Sequence, residues 1–445
     1  MEERLHPDSA SAHAPSFFRQ PAAWLRGKNL SHGYWVFFNA AFFYDTGFAL
    51  YWFLFNLYLL DFHFNERAIG LVNGALTLGL LVGTLPTGAL GRRFGPRPVL
   101  LFCFTVAPLL NALRVLWVWE PAQIVLAFLA GISMCSWTVT FLPAVSALTT
   151  AQNRTAAISL IFSIGVGSSA LGGALCGYLP QLLIGAGVDL QPFAIKRLIL
   201  LASCTIAAIG FFPVLRLRMP RVADDPESEQ QPRSRAWFRG FQLSPFLWRF
   251  LFCMALWSAI LAAFTPFANV YLSRDLHIPL AHIGLIFSVA QLLQLGSGLL
   301  VPIVLRRLGM LNGIFVTQLA AAMMLATMAG VRHQPLAIAF YLAFAAFQWM
   351  SSPGLYSLLM NETPEAERST AAASTMFVNS LASAAATAGA GVLFTQYGYT
   401  RVLLALAVSA GAAALVCRLL LTQKKERETR GSAPELHPSP VSNLD

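Results

Sequence analysis

Charge is what this chain has little of. Of its 445 residues, 11% are Asp, Glu, Lys or Arg, against roughly 25% in a soluble domain. Hydrophobic residues reach 56% and mean hydropathy is +0.61, so the composition excludes a water-soluble fold and points to a lipid bilayer. Cysteine is also sparse. The six, Cys103, Cys135, Cys176, Cys204, Cys253 and Cys417, lie inside apolar runs with no CxxC spacing, which points to small core hydrophobes rather than metal ligands or disulfides. No Gly-x-x-x-x-Gly-Lys-Ser/Thr loop occurs, so nucleotide hydrolysis is excluded as this chain's own energy source. No HExxH or Ser-His-Asp pattern is visible, and His63, His277, His282 and His333 are scattered. The expectation is no enzyme, no metal and no cofactor. The net charge of +10 reads as loop cations of a membrane protein, and no nucleic-acid partner is expected. No secretory leader is expected in the polar first 32 residues, which hold Pro7, Pro15 and Pro21.

What is present is said twice. Asn56-Leu57-Tyr58-Leu59-Leu60-Asp61-Phe62-His63, followed by Ile69-Gly70-Leu71, returns as Asn269-Val270-Tyr271-Leu272-Ser273-Arg274-Asp275-Leu276-His277, followed by Ile283-Gly284-Leu285. One inserted residue changes the offset, which then persists. Arg92-Arg93-Phe94-Gly95 pairs with Arg306-Arg307-Leu308-Gly309, Arg154 with Arg368, and Gly177 with Gly391. Duplicated helical arrays of about half a chain are the mark of two-bundle membrane carriers.

A span needs roughly 20 mostly apolar residues. Twelve segments qualify: 33–60, 69–90, 98–118, 122–148, 155–183, 196–217, 246–273, 281–305, 310–331, 335–360, 369–396 and 400–421. The predicted fold is an all-α polytopic membrane protein with twelve transmembrane helices in two six-helix bundles related by pseudo-two-fold symmetry. The expected organisation is a cytoplasmic tail 1–32, a bundle 33–217, a cytoplasmic linker 218–245, a bundle 246–421 and a cytoplasmic tail 422–445. If both termini are cytoplasmic, the opposite side holds only Arg67, Arg114, Lys196, Arg197, Arg274, Arg332 and Arg401 of the 30 Lys and Arg, the bias expected of that orientation.

This organisation resembles a bacterial major facilitator superfamily (MFS) transporter over residues 33–421. The family signature between helices 2 and 3, Gly-x-Leu-x-Asp-Arg-x-Gly-Arg-Arg, is met by Gly88-Ala89-Leu90-Gly91-Arg92-Arg93-Phe94-Gly95-Pro96-Arg97, with Arg92 at the acidic position. The resemblance implies a cytoplasmic gate here. Because Arg92 replaces the acid, the expected partners of Arg92, Arg93 and Arg97 are Glu362, Glu365 and Glu367 after helix 10; the alternative is plain anchoring at lipid headgroups. The family's helix-5 antiporter motif is met only in part, by Gly172-Gly173. That match leans toward antiport, with close helix packing as the alternative reading.

Asp45 is the candidate for proton coupling or substrate contact. It lies about twelve residues into helix 1, where an acid costs about 2.5–3.5 kcal/mol on insertion scales. Helical spacing puts it on one face with Ala49, Trp52 and Asn56. The alternative is a structural acid held by a neighbour such as Tyr44 or Thr46. Asn39, Gln291, Gln294, Gln348, Trp349 and Asn379 complete the cavity candidates, and Asn56 with Asn269 the expected outer gate. Arg114, near the outer end of helix 3, is expected to snorkel to headgroups. Together these features predict a monomeric secondary transporter of the inner membrane, moving a small organic solute by alternating access. Proton-coupled efflux of a neutral or cationic amphiphile is the leading expectation. Nutrient or sugar-like uptake, by symport or uniport, is the alternative, and a membrane sensor or scaffold is the reading from another class.

Overall fold

The computed structural model describes residues 30–150, 153–187, 190–217, 219, 244–364 and 367–431, with side chains undescribed at 155, 369 and 423–431. Most of the expected linker and tails, and Glu365, lie outside the described residues. The elements are α1 (His32–Asp61), α2 (Glu66–Phe94), α3 (Pro96–Leu116), α4 (Glu120–Leu148), α5 (Arg154–Gly185) and α6 (Pro192–Ile209), the last extended by a short turn, Phe211–Arg216. Then follow α7 (Pro245–Phe264), α8 (Leu280–Leu308), α9 (Met310–Gly330) and α10 (Gln334–Glu362). The final helix, Arg368–Gly431, is interrupted at Gly398, whose φ of 73° is not helical, and so divides into α11 (368–397) and α12 (399–431).

Ten helices among the described residues are long and apolar enough to cross a membrane. α1 is outside that set, because its tyrosines, asparagines and aspartate lower its hydropathy, and the last of the ten is the pair divided at Gly398. Adding α1 and counting that pair separately gives twelve.

Local chemistry sets the ends. Ser31 Oγ accepts from Tyr34 N (3.1 Å), Asn65 Oδ1 from Ala68 N (2.9 Å) and Ser244 Oγ from Leu247 N (3.2 Å), each satisfying an amide that a helix start leaves free. Pro96, Pro192 and Pro245 occupy first helical positions, where a missing N–H costs nothing. The duplication recurs in the backbone. Gly95 (φ 82°) and Gly309 (φ 80°) turn α2 into α3 and α8 into α9, and His63 (φ 61°) and His277 (φ 52°) are the positive-φ non-glycines among the described residues. After α1, Phe64 N bonds Leu59 O and His63 N bonds Leu60 O, a Schellman ending with His63 in the left-handed position.

Within the first half α1 packs on α5 and α6, α2 on α4, and α3 on α4 and α6. In the second, α7 packs on the α11–α12 pair, α9 on α10 and α12, and α8 on α10. The halves join through α2 against α11 and α5 against α8, two interfaces exchanged by the internal duplication. All six cysteines are buried free thiols.

Candidate functional site

α7 does not end as a plain helix. Pro266 has no N–H, so the chain passes through a 3-10 turn at Thr265–Phe267 and a π-helical stretch at Tyr271–Asp275. The carbonyl of Ala262, which Pro266 cannot reach, accepts instead from Thr387 Oγ1 of α11 at 2.9 Å. Val270 N bonds the Asn269 side chain (2.9 Å), which leaves Pro266 O available. Irregular backbone at membrane depth is tolerated where protein or a cavity receives its polar groups.

A cavity of about 600 Å³ lies between the halves, bordered by α1, α2, α5, the irregular end of α7, α8 and α10. Ala49, Trp52, Phe53 and Asn56 face it from α1, Gln291 and Gln294 from α8, and Gln348 and Trp349 from α10. Among the described residues its lining carries no Asp, Glu, Lys, Arg or His. That size suits a small organic ligand.

One end of the cavity is closed by paired contacts. Asn56 Nδ2 donates to Pro266 O (2.9 Å) and Asn269 Nδ2 donates to Phe53 O (3.0 Å). Each asparagine thus reaches the carbonyl three residues before its counterpart, and both are buried. Asn73 Nδ2 supports Asn56 Oδ1 at 3.2 Å. Beyond them Arg274 Nη1 meets Glu66 Oε1 at 3.0 Å across the halves, and Arg67 N donates to Thr395 Oγ1 (3.0 Å). These contacts lie on the face opposite the start of α1 and the end of α12.

The remaining candidates lie elsewhere. Asp45 is half-buried, one turn from Ala49 toward the amino end of α1, and does not border the cavity. Its Oδ2 lies 3.9 Å from where a Cβ on Gly165 of α5 would stand. It has no hydrogen-bond or ion-pair partner among the described residues. Tyr44 Oη is engaged with Cys103 Sγ (3.3 Å) and Thr46 Oγ1 with Ser168 Oγ (3.0 Å). Asn39 is exposed, and Asn379 keeps a buried Oδ1 without a partner; neither borders the cavity. On the face where α1 starts, Gly88 and Gly95 have room around them. Arg92, Arg93, Glu362 and Glu367 are exposed, while Arg97 Nη2 donates to Leu215 O (2.6 Å).

Arg114 corrects an expectation. It does not snorkel: its exposure is 0%. Its guanidinium lies 4.3 Å from the Phe55 ring centroid, and Nη1 donates to Asn111 Oδ1 at 3.0 Å. α3 buries that face against α1, so a cation near a helix end points into the bundle. Gly172, Gly173 and Gly177 of α5 stand at close helix approaches, whereas Gly167 has open space around it. A Cβ on Gly172 would meet Ala49 of α1, and one on Gly177 would meet Ala281 and Gly284 of α8.

Asn73, Thr77, Ser169, Phe287 and Tyr341 border the cavity without having been anticipated. A signal existed for two of them. Asn73 and Thr77 stand one turn apart in α2, a polar stripe at helical spacing.

Solved structures share this architecture. The nucleoside transporter NupG is similar at 15% identity, with 88% of this chain and 99% of that one covered and a TM-score of 0.72. A D-xylose-proton symporter follows at 14% identity, 86% and 95% coverage and a TM-score of 0.66. A bacterial homologue of the human lysosomal transporter Spinster, in an inward-facing and unoccupied conformation, has 14% identity, 88% and 96% coverage and a TM-score of 0.65. No curated protein matches the chain. The Major Facilitator Superfamily model matches residues 37–387, and with two duplicated helical halves enclosing one cavity, the chain belongs to the Major Facilitator Superfamily.

Proposed function

We propose that the chain is a secondary carrier of the bacterial inner membrane that moves a small organic solute by alternating access. The observation that carries this reading is the cavity closed at one end by the Asn56 and Asn269 bonds. With both termini cytoplasmic, the closed face is the outer one, and the conformation is the one that receives solute from inside. Opening the outer face requires breaking the asparagine bonds and the Glu66–Arg274 pair. Closing the inner face would bring Arg92, Arg93 and Arg97 toward Glu362, Glu365 and Glu367.

Asp45 is the proposed proton carrier. It stands on the same helix as the cavity wall, a turn away, and an ionisable side chain within a membrane-spanning helix is rare and commonly functional. A carboxyl that gains and loses a proton as its access alternates couples solute to the proton gradient. Efflux by antiport is one direction. Uptake by symport is the second reading, favoured by two observations: packing accounts for Gly172 and Gly173, the matched part of the antiporter motif, and the lining is uncharged. The D-xylose-proton symporter of similar fold is in keeping with it.

The test is proton movement in weakly buffered proteoliposomes, wild type against Asp45→Asn, with a solute gradient imposed. Proton flux seen only in the wild type supports coupling through Asp45, and its sign separates antiport from symport. Equal solute flux in both proteins with no proton movement would leave a uniporter.

A further inference from the structure

The amides around the cavity fall into two sets. Asn56, Asn73 and Asn269 are occupied. Asn56 donates to Pro266 O and accepts from Asn73, Asn73 also donates to Ile69 O, and Asn269 donates to Phe53 O and accepts from Val270 N. The side-chain amides of Gln291, Gln294 and Gln348 have no hydrogen-bond partner among the described residues, and Gln348 Oε1 is buried without one. Gln291 and Gln294 are three residues apart on α8 and so share a face. Each glutamine offers two N–H donors and one acceptor oxygen, and a polar group left unpaired in a desolvated site is costly.

Flat apolar surface stands beside these amides. Trp52 of α1 and Trp349 of α10 border the cavity from opposite halves and are 37% and 50% exposed. A charged ligand would meet no counter-charge among the described lining residues, and burying an ion without one is costly.

We propose that the cavity takes an uncharged solute with a flat ring face and a mixed donor–acceptor edge, the chemistry of a nucleoside. Gln291, Gln294 and Gln348 read its edge, and Trp52 and Trp349 take its ring. This rests on the carrier reading and deepens it. Asn56, Asn73 and Asn269 hold the closed end and do not select the solute. An amide facing a donor–acceptor edge pairs through two bonds at once; adjacent sugar hydroxyls can do the same, so the flat ring against Trp52 and Trp349 is what separates a nucleoside from a free sugar.

Binding to the purified full-length protein in detergent tests the assignment without requiring transport. The probes are uridine and adenosine, with xylose, tetraphenylphosphonium and succinate as the other classes, read by calorimetry. A nucleoside is expected to bind, and xylose, the cation and the dianion to bind at least tenfold more weakly. Gln291→Ala, Gln294→Ala and Gln348→Ala are each expected to weaken nucleoside binding about tenfold, the loss of one good hydrogen bond. Trp349→Phe should retain binding and Trp349→Leu should lose it, with unchanged melting temperatures showing that all variants fold. Preferential binding of xylose, tetraphenylphosphonium or succinate overturns the assignment, as does nucleoside binding that is absent or indifferent to all three glutamines. Those outcomes leave the carrier reading standing if the preferred probe exchanges across proteoliposomes. Nucleoside binding without exchange of any probe would overturn the carrier reading alone.

Discussion

Gly70 of α2 and Gly391 of α11 meet backbone to backbone across the two halves. A Cβ on Gly70 would stand 2.9 Å from Gly391 Cα, and one on Gly391 would stand 3.0 Å from Gly70 Cα. The duplicated pair, Gly284 of α8 and Gly177 of α5, repeats the contact at 2.9 and 3.2 Å. Neither pair has a positive φ, so glycine is required there by space rather than by backbone conformation. Replacing Gly391 or Gly284 with Ala is expected to hold the closed face apart. The check is a thiol placed at Asn73 in each background, whose labelling from the closed face should rise; unchanged labelling in both would refute it.

Asn56→Ala and Asn269→Ala should act in the same direction. Each removes one hydrogen bond between the halves, a net loss of about 1 kcal/mol, or about a fivefold shift in the population with that face open. Labelling of a thiol at Thr265 from that face reports it. The two effects should be of similar size, because each variant also takes a partner from a second group, Asn73 Nδ2 in Asn56→Ala and Val270 N in Asn269→Ala.

The Glu66–Arg274 pair is unequal. Glu66 has a side-chain exposure of 10% and Arg274 of 54%. Arg274→Ala leaves a mostly buried carboxylate without its cation, the more damaging way to break a pair. Glu66→Gln leaves an exposed cation that water can solvate. Transport should fall further in Arg274→Ala than in Glu66→Gln, and the exchanged pair Glu66→Arg with Arg274→Glu should recover part of the loss. Equal effects of the two single variants would count against this account.

Arg114 is a buried cation beside aromatic rings, with Asn111 as its hydrogen-bond acceptor. Replacing a buried ion with an apolar side chain of similar length is often neutral or stabilising. Arg114→Met should therefore melt at or above the wild-type temperature. Arg114→Lys should melt below it, since a compact ammonium is more strongly hydrated and lacks the flat contact with Phe55. Thermal unfolding in detergent decides the order.

Thr387→Val removes the donor that serves Ala262 O beside Pro266 while keeping the side chain's shape. An unpaired buried carbonyl costs about 1–3 kcal/mol, so the melting temperature should fall. Thr387→Ser should preserve it, and equal melting of the two variants would refute the role.

Much of the fold was legible in the chain because a duplicated sequence must build duplicated geometry. Gly95 and Gly309, His63 and His277, and Gly177 and Gly391 were visible as repeats, and each returns as a repeated backbone angle or contact. The helical period placed Ala49, Trp52 and Asn56 on one stripe, and all three border the cavity. Asp45 belongs to that stripe by spacing but ends a turn short of the cavity, because spacing does not say where along a helix a cavity stops.

Sequence alone determined the lipid environment, the helices and the internal symmetry, since apolar length, turn chemistry and repetition are properties of the chain itself. The rotation of each helix was decided by tertiary structure. Arg114 turned inward because α3 packs that face on α1, and Asn73 joined the cavity because α2 turns its polar stripe toward Asn56. The division of the amides into three occupied asparagines and three unpartnered glutamines was decided in the same way. A side chain's hydrogen-bond partner comes from whichever helix lies opposite, and no periodicity within one helix specifies its neighbour.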